Sequence, residues 1–266
     1  MNEYQTIAAG LLSSGTAAMV IGYSEGSAGR VRPVFLTRPE EAPALLFDSR
    51  CVQNTAVYLT KKEIRTEGKT AIIASLPVMR SIIQLASENQ FQEEKVIVIG
   101  ITPAGEVKQF DGFDALDKYV SSLTIEIEAR YREKIEEVEK MNLQDRWNFW
   151  KNELSACFKC YACRAACPMC YCTRCTVEMN QPQWIPVPSH PLGNFEWHIM
   201  RAMHLAGRCV DCDACAEACP LGIPFNLLTK QMILQFNKDF GGYNPSLKGL
   251  NILSSYIPDD KENFIQ

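Results

Sequence analysis

Two cysteine runs constrain this chain more than any other feature. CFKCYACRAACP sets Cys157, Cys160, Cys163 and Cys167 before Pro168, and CVDCDACAEACP sets Cys209, Cys212, Cys215 and Cys219 before Pro220. Both fit C-x2-C-x2-C-x3-C-P, a spacing that lets the backbone wrap three corners of an iron-sulfur cubane while a more distant thiolate closes the fourth. Structural zinc is the competing reading, but zinc ribbons pair two C-x2-C knuckles instead of placing four cysteines in one run. The runs therefore predict two 4Fe-4S clusters. In two-cluster proteins the fourth cysteine of each run serves the other cluster, which assigns Cys157, Cys160, Cys163 and Cys219 to one and Cys209, Cys212, Cys215 and Cys167 to the other. The following prolines turn the chain away.

The interval between the runs opens with MCYCTRC, which adds Cys170, Cys172 and Cys175. Three cysteines in six residues beside two ligand runs predict a further metal site, possible as a third 4Fe-4S cluster. Its fourth ligand is open: Cys51, a partner thiolate, an open iron site and a mononuclear metal all fit the spacing. Iron through these cysteines is the expected metal. Pro182, Pro186, Pro188 and Pro191 predict an irregular loop, and Asn194 is placed to cap a helix over FEWHIMRAMHLAG whose apolar face is Phe195, Ile199, Met203 and Ala206. His190, His198 and His204 read as packed or surface imidazoles, and no residue is assigned a catalytic role.

Composition narrows the class. The 12 cysteines among 266 residues are concentrated, with only Cys51 before residue 157, unlike a secreted disulfide scaffold. A net charge of -4 argues against a general nucleic-acid binder. No basic, apolar leader and no membrane-length apolar run is present, so a cytoplasmic protein with no direct membrane span is expected, with association to a membrane complex left open.

The first half reads as strands AMVIGY, VRPVFL, TAIIASL and KVIVIGI with a helix over 80–90, an arrangement that predicts βαβ units on a mostly parallel sheet. SEGSAGR, between the first two strands, suits a turn or an anion-cradling nest but does not match G-x-G-x-x-G. The predicted organisation is an α/β domain over 1–120, a charged connecting helix over 121–153, an iron-sulfur domain over 154–240 and a C-terminal tail over 241–266. The fold class is thus α/β, with the mostly parallel domain followed by a ferredoxin-like two-cluster domain carrying an extended insertion between its runs. Lys159, Arg164 and Arg174 read as solvated charges, and PFNLLTKQMILQF as a core helix.

VIGYSEGSAGRVRPVFL, RCVQNTAVYLTK, MRSIIQLASENQ, CFKCYACRAACPMCYCTRC and HLAGRCVDCDACAEACP together resemble the beta-subunit family of coenzyme F420-linked hydrogenases and formate dehydrogenases, in its short iron-sulfur form associated with heterodisulfide reductase-type complexes. The resemblance spans most of the chain. It implies an electron-transfer module relaying electrons between catalytic and redox partner subunits of an anaerobic oxidoreductase complex: heterodisulfide reductase-like, hydrogenase or formate dehydrogenase subunits. Members of the family that reduce F420 also carry flavin, which gives the alternative of a flavin-dependent F420- or ferredoxin-linked reductase subunit. ASLPVMRS and GITPAGEV lack the cysteines that relatives carry at these places, so flavin is not favoured.

Overall fold

Short runs of β-branched and small apolar residues are stable only where both faces are covered, and these runs build the sheet. The computed structural model describes residues 1–64, 66–179, 181–242 and 244–248. Strands β1 (Met19–Glu25), β2 (Val31–Leu36), β3 (Leu45–Leu46), β4 (Thr70–Ala74), β5 (Val96–Ile101) and β6 (Val107–Gln109) form one sheet in the order β2-β1-β4-β5-β6, with β3 also on β1. Helix α1 (Glu3–Ser13) precedes them. Val20, Ile21, Ala71, Ile72, Ile73 and Ile99 are almost completely buried.

The expected mostly parallel sheet is corrected to a mixed one. Only β1, β4 and β5 run parallel, whereas β2, β3 and β6 pair antiparallel with their neighbours. The reason is loop length. A parallel crossover needs a dozen or more residues, and SEGSAGR closes instead as a hairpin: Gly26 N donates to Arg30 O at 2.7 Å, with Ala28 and Gly29 both left-handed. The β4–β5 connection does carry a helix, α2 (Leu76–Ser87), which begins ahead of the expected Arg80 because Ser75 and Pro77 suit a helix start. Its residues Val78 to Ala86 are all buried.

Helix α3 (Gly112–Ser121) packs on α2. The charged segment then forms two helices, α4 (Ala129–Lys140) and α5 (Leu143–Ser155), not one. Asn142 separates them by accepting from Asp145 N at 2.9 Å, a cap that ends one helix's register and starts another. Beyond it lie α6 (Ala162–Ala165), α7 (Pro191–His204), α8 (Ala214–Glu217) and α9 (Phe225–Phe240). Helix α7 packs between α5 and α9, and Trp147 of α5 covers Phe195 at 4.5 Å between ring centroids.

One apolar core runs through both halves. Met19, Ile72, Met79, Ile82 and Leu116 share it with Met169, Ala202, Leu205 and Phe225. Most of the expected C-terminal tail, 249–266, lies outside the described residues. The expected ferredoxin-like two-cluster domain is corrected. Among the described residues no group of three or more His, Cys, Asp or Glu side chains is arranged to hold a metal ion.

Candidate functional site

The two cysteine runs fold alike. In each, the residues flanking the second cysteine are left-handed: Lys159 and Tyr161 around Cys160, Asp211 and Asp213 around Cys212. These reversals curl the backbone into a tight arc. A four-residue helix then carries the third cysteine, Cys163 in α6 and Cys215 in α8, and ends before the fourth. Left-handed geometry at four non-glycine residues is unfavourable, and tertiary contacts hold it. Lys159 is buried and donates from Nζ to Pro186 O at 2.8 Å and Val187 O at 2.9 Å. Asp211 and Asp213 both pair with buried Lys230.

The eight cysteines of the runs surround two small cavities. Cys157, Cys160, Cys163, Cys215 and Cys219 line the first with Trp197, His198 and Phe225. Cys167, Cys209, Cys212 and Cys215 line the second with Asp211, Asp213 and Thr229. Cys219 thus lines the cavity of the first run and Cys167 that of the second, while Cys215 lines both. Each cavity has about 20 Å³ of open space, room for about one water. Several thiols are engaged within the protein: Cys157 Sγ accepts from Lys159 N at 3.3 Å, Cys219 Sγ from Ile223 N at 3.4 Å, and Cys163 Sγ from Arg201 Nη1 at 3.1 Å.

This geometry corrects the two 4Fe-4S clusters, the third one, and the iron-sulfur relay role drawn from them. Sharing a cavity wall differs from converging on a metal, and among the described residues no metal-holding group is formed. Cys170, Cys172 and Cys175 do share a third cavity of about 500 Å³. Cys51 is not among its lining residues: its Sγ accepts from Asp48 N at 3.4 Å beside the β3 end.

Electrostatics within the site are set by buried cations that composition does not disclose. Arg201 is 2% exposed and donates from Nη2 to Cys163 O at 3.0 Å. The Cys167 thiol, hydrogen-bonded to Cys170, lowers the Cys170 thiol to about 5, and Arg201 acts the same way against the effect of burial. Cys167 is driven well up by the same contact and by burial. Burial pushes the Cys209 thiol up to about 12. His198 lies between Trp197 and Phe225, with ring centroids 4.8 and 5.4 Å away, and burial, then Arg201 and Lys159, press it down to about 3.

Helix α7 differs from its expected form. It starts at Pro191 with His190 as cap, and Asn194 lies within it, donating to Cys157 O at 2.5 Å. Its buried face is Gly193, Asn194, Trp197, His198, Arg201 and Ala202, while Met203, expected inside, is 53% exposed. Of the expected apolar stripe Ala206 is buried and Phe195 and Ile199 are half-buried, and the most buried face goes to Asn194 and Arg201 because the cysteine turn opposite offers them the Cys157 and Cys163 carbonyls and the Cys163 thiol to bond. The signal for Arg201 was present as its spacing of four from Trp197 and three from His198, one helical face. Lys159 is likewise corrected from solvated to buried, whereas Arg174 is exposed.

Among the described residues no helix is long and apolar enough to cross a membrane. No family model matches the chain. It is 30% identical over 129 residues to the F420-dependent formate dehydrogenase subunit beta of Methanocaldococcus jannaschii, a match covering 48% of this chain and 32% of that protein. A 43-residue stretch, 16% of this chain and 11% of the relative, is 33% identical to the F420-dependent formate dehydrogenase 1 subunit beta of Methanococcus maripaludis. The matches thus span about a third or less of these relatives' length, and they establish distant homology to the beta subunits of F420-dependent formate dehydrogenases.

Proposed function

We propose that this chain is a non-catalytic, cytoplasmic subunit of an anaerobic oxidoreductase complex, bound beside a redox subunit of the formate dehydrogenase, hydrogenase or heterodisulfide reductase type. The observation that carries this reading is the 129-residue similarity to a formate dehydrogenase beta subunit. The exposed apolar side chains Phe158 and Leu221, at 56% and 49%, support it: both line the first cysteine cavity, in a region with the character of a protein contact.

The test is anaerobic purification of the tagged full chain from its own cells, followed by size exclusion with a dye-linked dehydrogenase assay. A redox subunit should co-elute in fixed stoichiometry with the activity, and the separated chain should not turn over F420 or nicotinamide. Elution of the chain alone, away from all dye-linked activity, overturns the subunit reading. Bound flavin with rapid F420 reduction by the isolated chain overturns its non-catalytic part.

A further inference from the structure

Among the described residues, one C-x2-C step of this chain is closed by its own backbone turn. Cys170 N donates to Cys167 O at 3.0 Å, and Pro168 occupies the second position of the turn, where its fixed φ is favoured. Such a turn holds its first and fourth Cα atoms within about 7 Å, the reach of a disulfide. The two thiols hydrogen-bond each other. Met169 between them is 3% exposed, packs in the shared core, and accepts at its carbonyl from Arg208 Nη2 at 3.5 Å, so the turn is anchored. The pair also faces two different spaces. Cys167 lines the small second cavity, whereas Cys170 lines the third, with its volume of about 500 Å³. A reagent that enters the third cavity therefore meets Cys170 first. Cys172 and Cys175 line the same cavity, but no backbone turn bond closes their step. The Arg201 guanidinium stands against the Cys170 sulfur, a cation that steadies negative charge there.

We infer that Cys167 and Cys170 form a redox-active dithiol that exchanges with a small organic disulfide admitted to the third cavity, Cys170 attacking and Cys167 resolving. The Cys170 thiolate attacks one sulfur of the substrate, forming a mixed disulfide and expelling the first thiolate. Cys167 gives up its proton and attacks the Cys170 sulfur, which breaks the mixed disulfide and expels the second thiolate. The protein pair loses two electrons, the substrate disulfide gains them, and the protons of both cysteines end on the two released thiols. Met203, Leu205 and Met232 give the cavity an apolar wall suited to an uncharged substrate body. The assignment rests on this turn and its cavity, not on the subunit reading.

The probe is 2,2′-dipyridyl disulfide, added anaerobically at one equivalent to the reduced full chain after removal of reductant. About two pyridinethiones per probe molecule should be released, since resolution follows attack. Trapping the remaining thiols by alkylation and mapping the peptides should then place the new disulfide between Cys167 and Cys170. Cys167→Ser should release only the first pyridinethione and keep the second half of the probe on Cys170. Cys170→Ser should slow the first release at least about tenfold. The map of the parent chain needs no variant, so the inference stays testable if either serine variant fails to fold. A first disulfide between any other cysteines, probe adducts spread over exposed Cys160 and Cys172 ahead of Cys170, or a Cys167–Cys170 pair closed to both probe and alkylating agent in the native chain would each overturn it.

Discussion

Glu88 caps the C-terminal end of α2, where a carboxylate opposes the helix dipole, and the position is stable only because Arg208 meets it twice, from Nε and Nη2, both at 2.6 Å. Burial alone would raise this carboxyl, but Arg208 and Gln84 hold it below its ordinary value. A depressed carboxyl contributes stability above the unfolded value of about 4.3 and loses it as pH falls through the lower folded value. Glu88→Gln should therefore cost about 2–4 kcal/mol at pH 7, by leaving Arg208 without its counter-charge. The gap between variant and parent urea midpoints should narrow as pH falls below about 4.3 and close only once pH has passed the depressed folded value, where the parent glutamate is itself neutral. His198 carries the opposite chemistry. Its folded value, about 3, lies below the unfolded value, so the unfolded chain takes up the proton first. Stability is full above about pH 6.5 and declines toward acid, and His198→Phe should flatten that decline between pH 6.5 and 4 in the same titration. An unchanged slope in the variant would place the acid sensitivity elsewhere.

At the scale of elements, Lys230 ties α9 to the second cysteine turn. It is 1% exposed, pairs with Asp211 and Asp213, and lies 4.3 Å from the centroid of the Tyr131 ring on α4. Lys230→Met keeps the volume but leaves two half-buried carboxylates unpaired, and should cost about 3–5 kcal/mol in a denaturant titration. Asp211→Asn in the same background should recover part of that loss, a coupling read from the double-mutant cycle. Breaking the surface pair Lys134–Glu137, 2.9 Å apart but largely solvated, should change stability by about 0.5 kcal/mol or less. The strands around Ile21, Ile72 and Ile99 were legible because unbroken apolar runs admit few other fates. The direction of β2 was misread because strand composition does not carry it, whereas SEGSAGR is too short for a parallel crossover and closes as a hairpin through Gly26 and Arg30. The face of α7 was misread for a related reason. Residue-type averages place Arg, His and Asn outside, and only the carbonyls and thiols opposite this helix turn that preference around. Cysteine spacing predicted two metal clusters, and among the described residues no metal-holding group is formed. Spacing did not indicate where each Sγ points, because that depends on donors such as Arg201, 38 residues from the Cys163 thiol it meets.

Across the whole molecule, the continuous core decides how the chain unfolds. Ala202, 3% exposed on α7, and Leu205 belong to the same packed cluster as Ile72 and Met79, and the Glu88–Arg208 pair joins the same two regions. Two halves that share a core and a half-buried ion pair gain little by opening separately, so unfolding should be a single cooperative transition. The chain supplies its own probes for this. All four tryptophans, Trp147, Trp150, Trp184 and Trp197, follow residue 146, whereas every strand of the sheet precedes residue 110. Tryptophan fluorescence thus reports the cysteine-bearing half, and the sheet contribution to far-ultraviolet dichroism reports the other. In urea the two curves should coincide, with one midpoint and one slope. Ala202→Asp places an unpaired carboxylate at the seam, and should lower both midpoints together by an amount equivalent to at least about 3 kcal/mol. If fluorescence alone shifted while the dichroism of the sheet kept its parent midpoint, the two halves would be independent folding units and the shared core would not couple them.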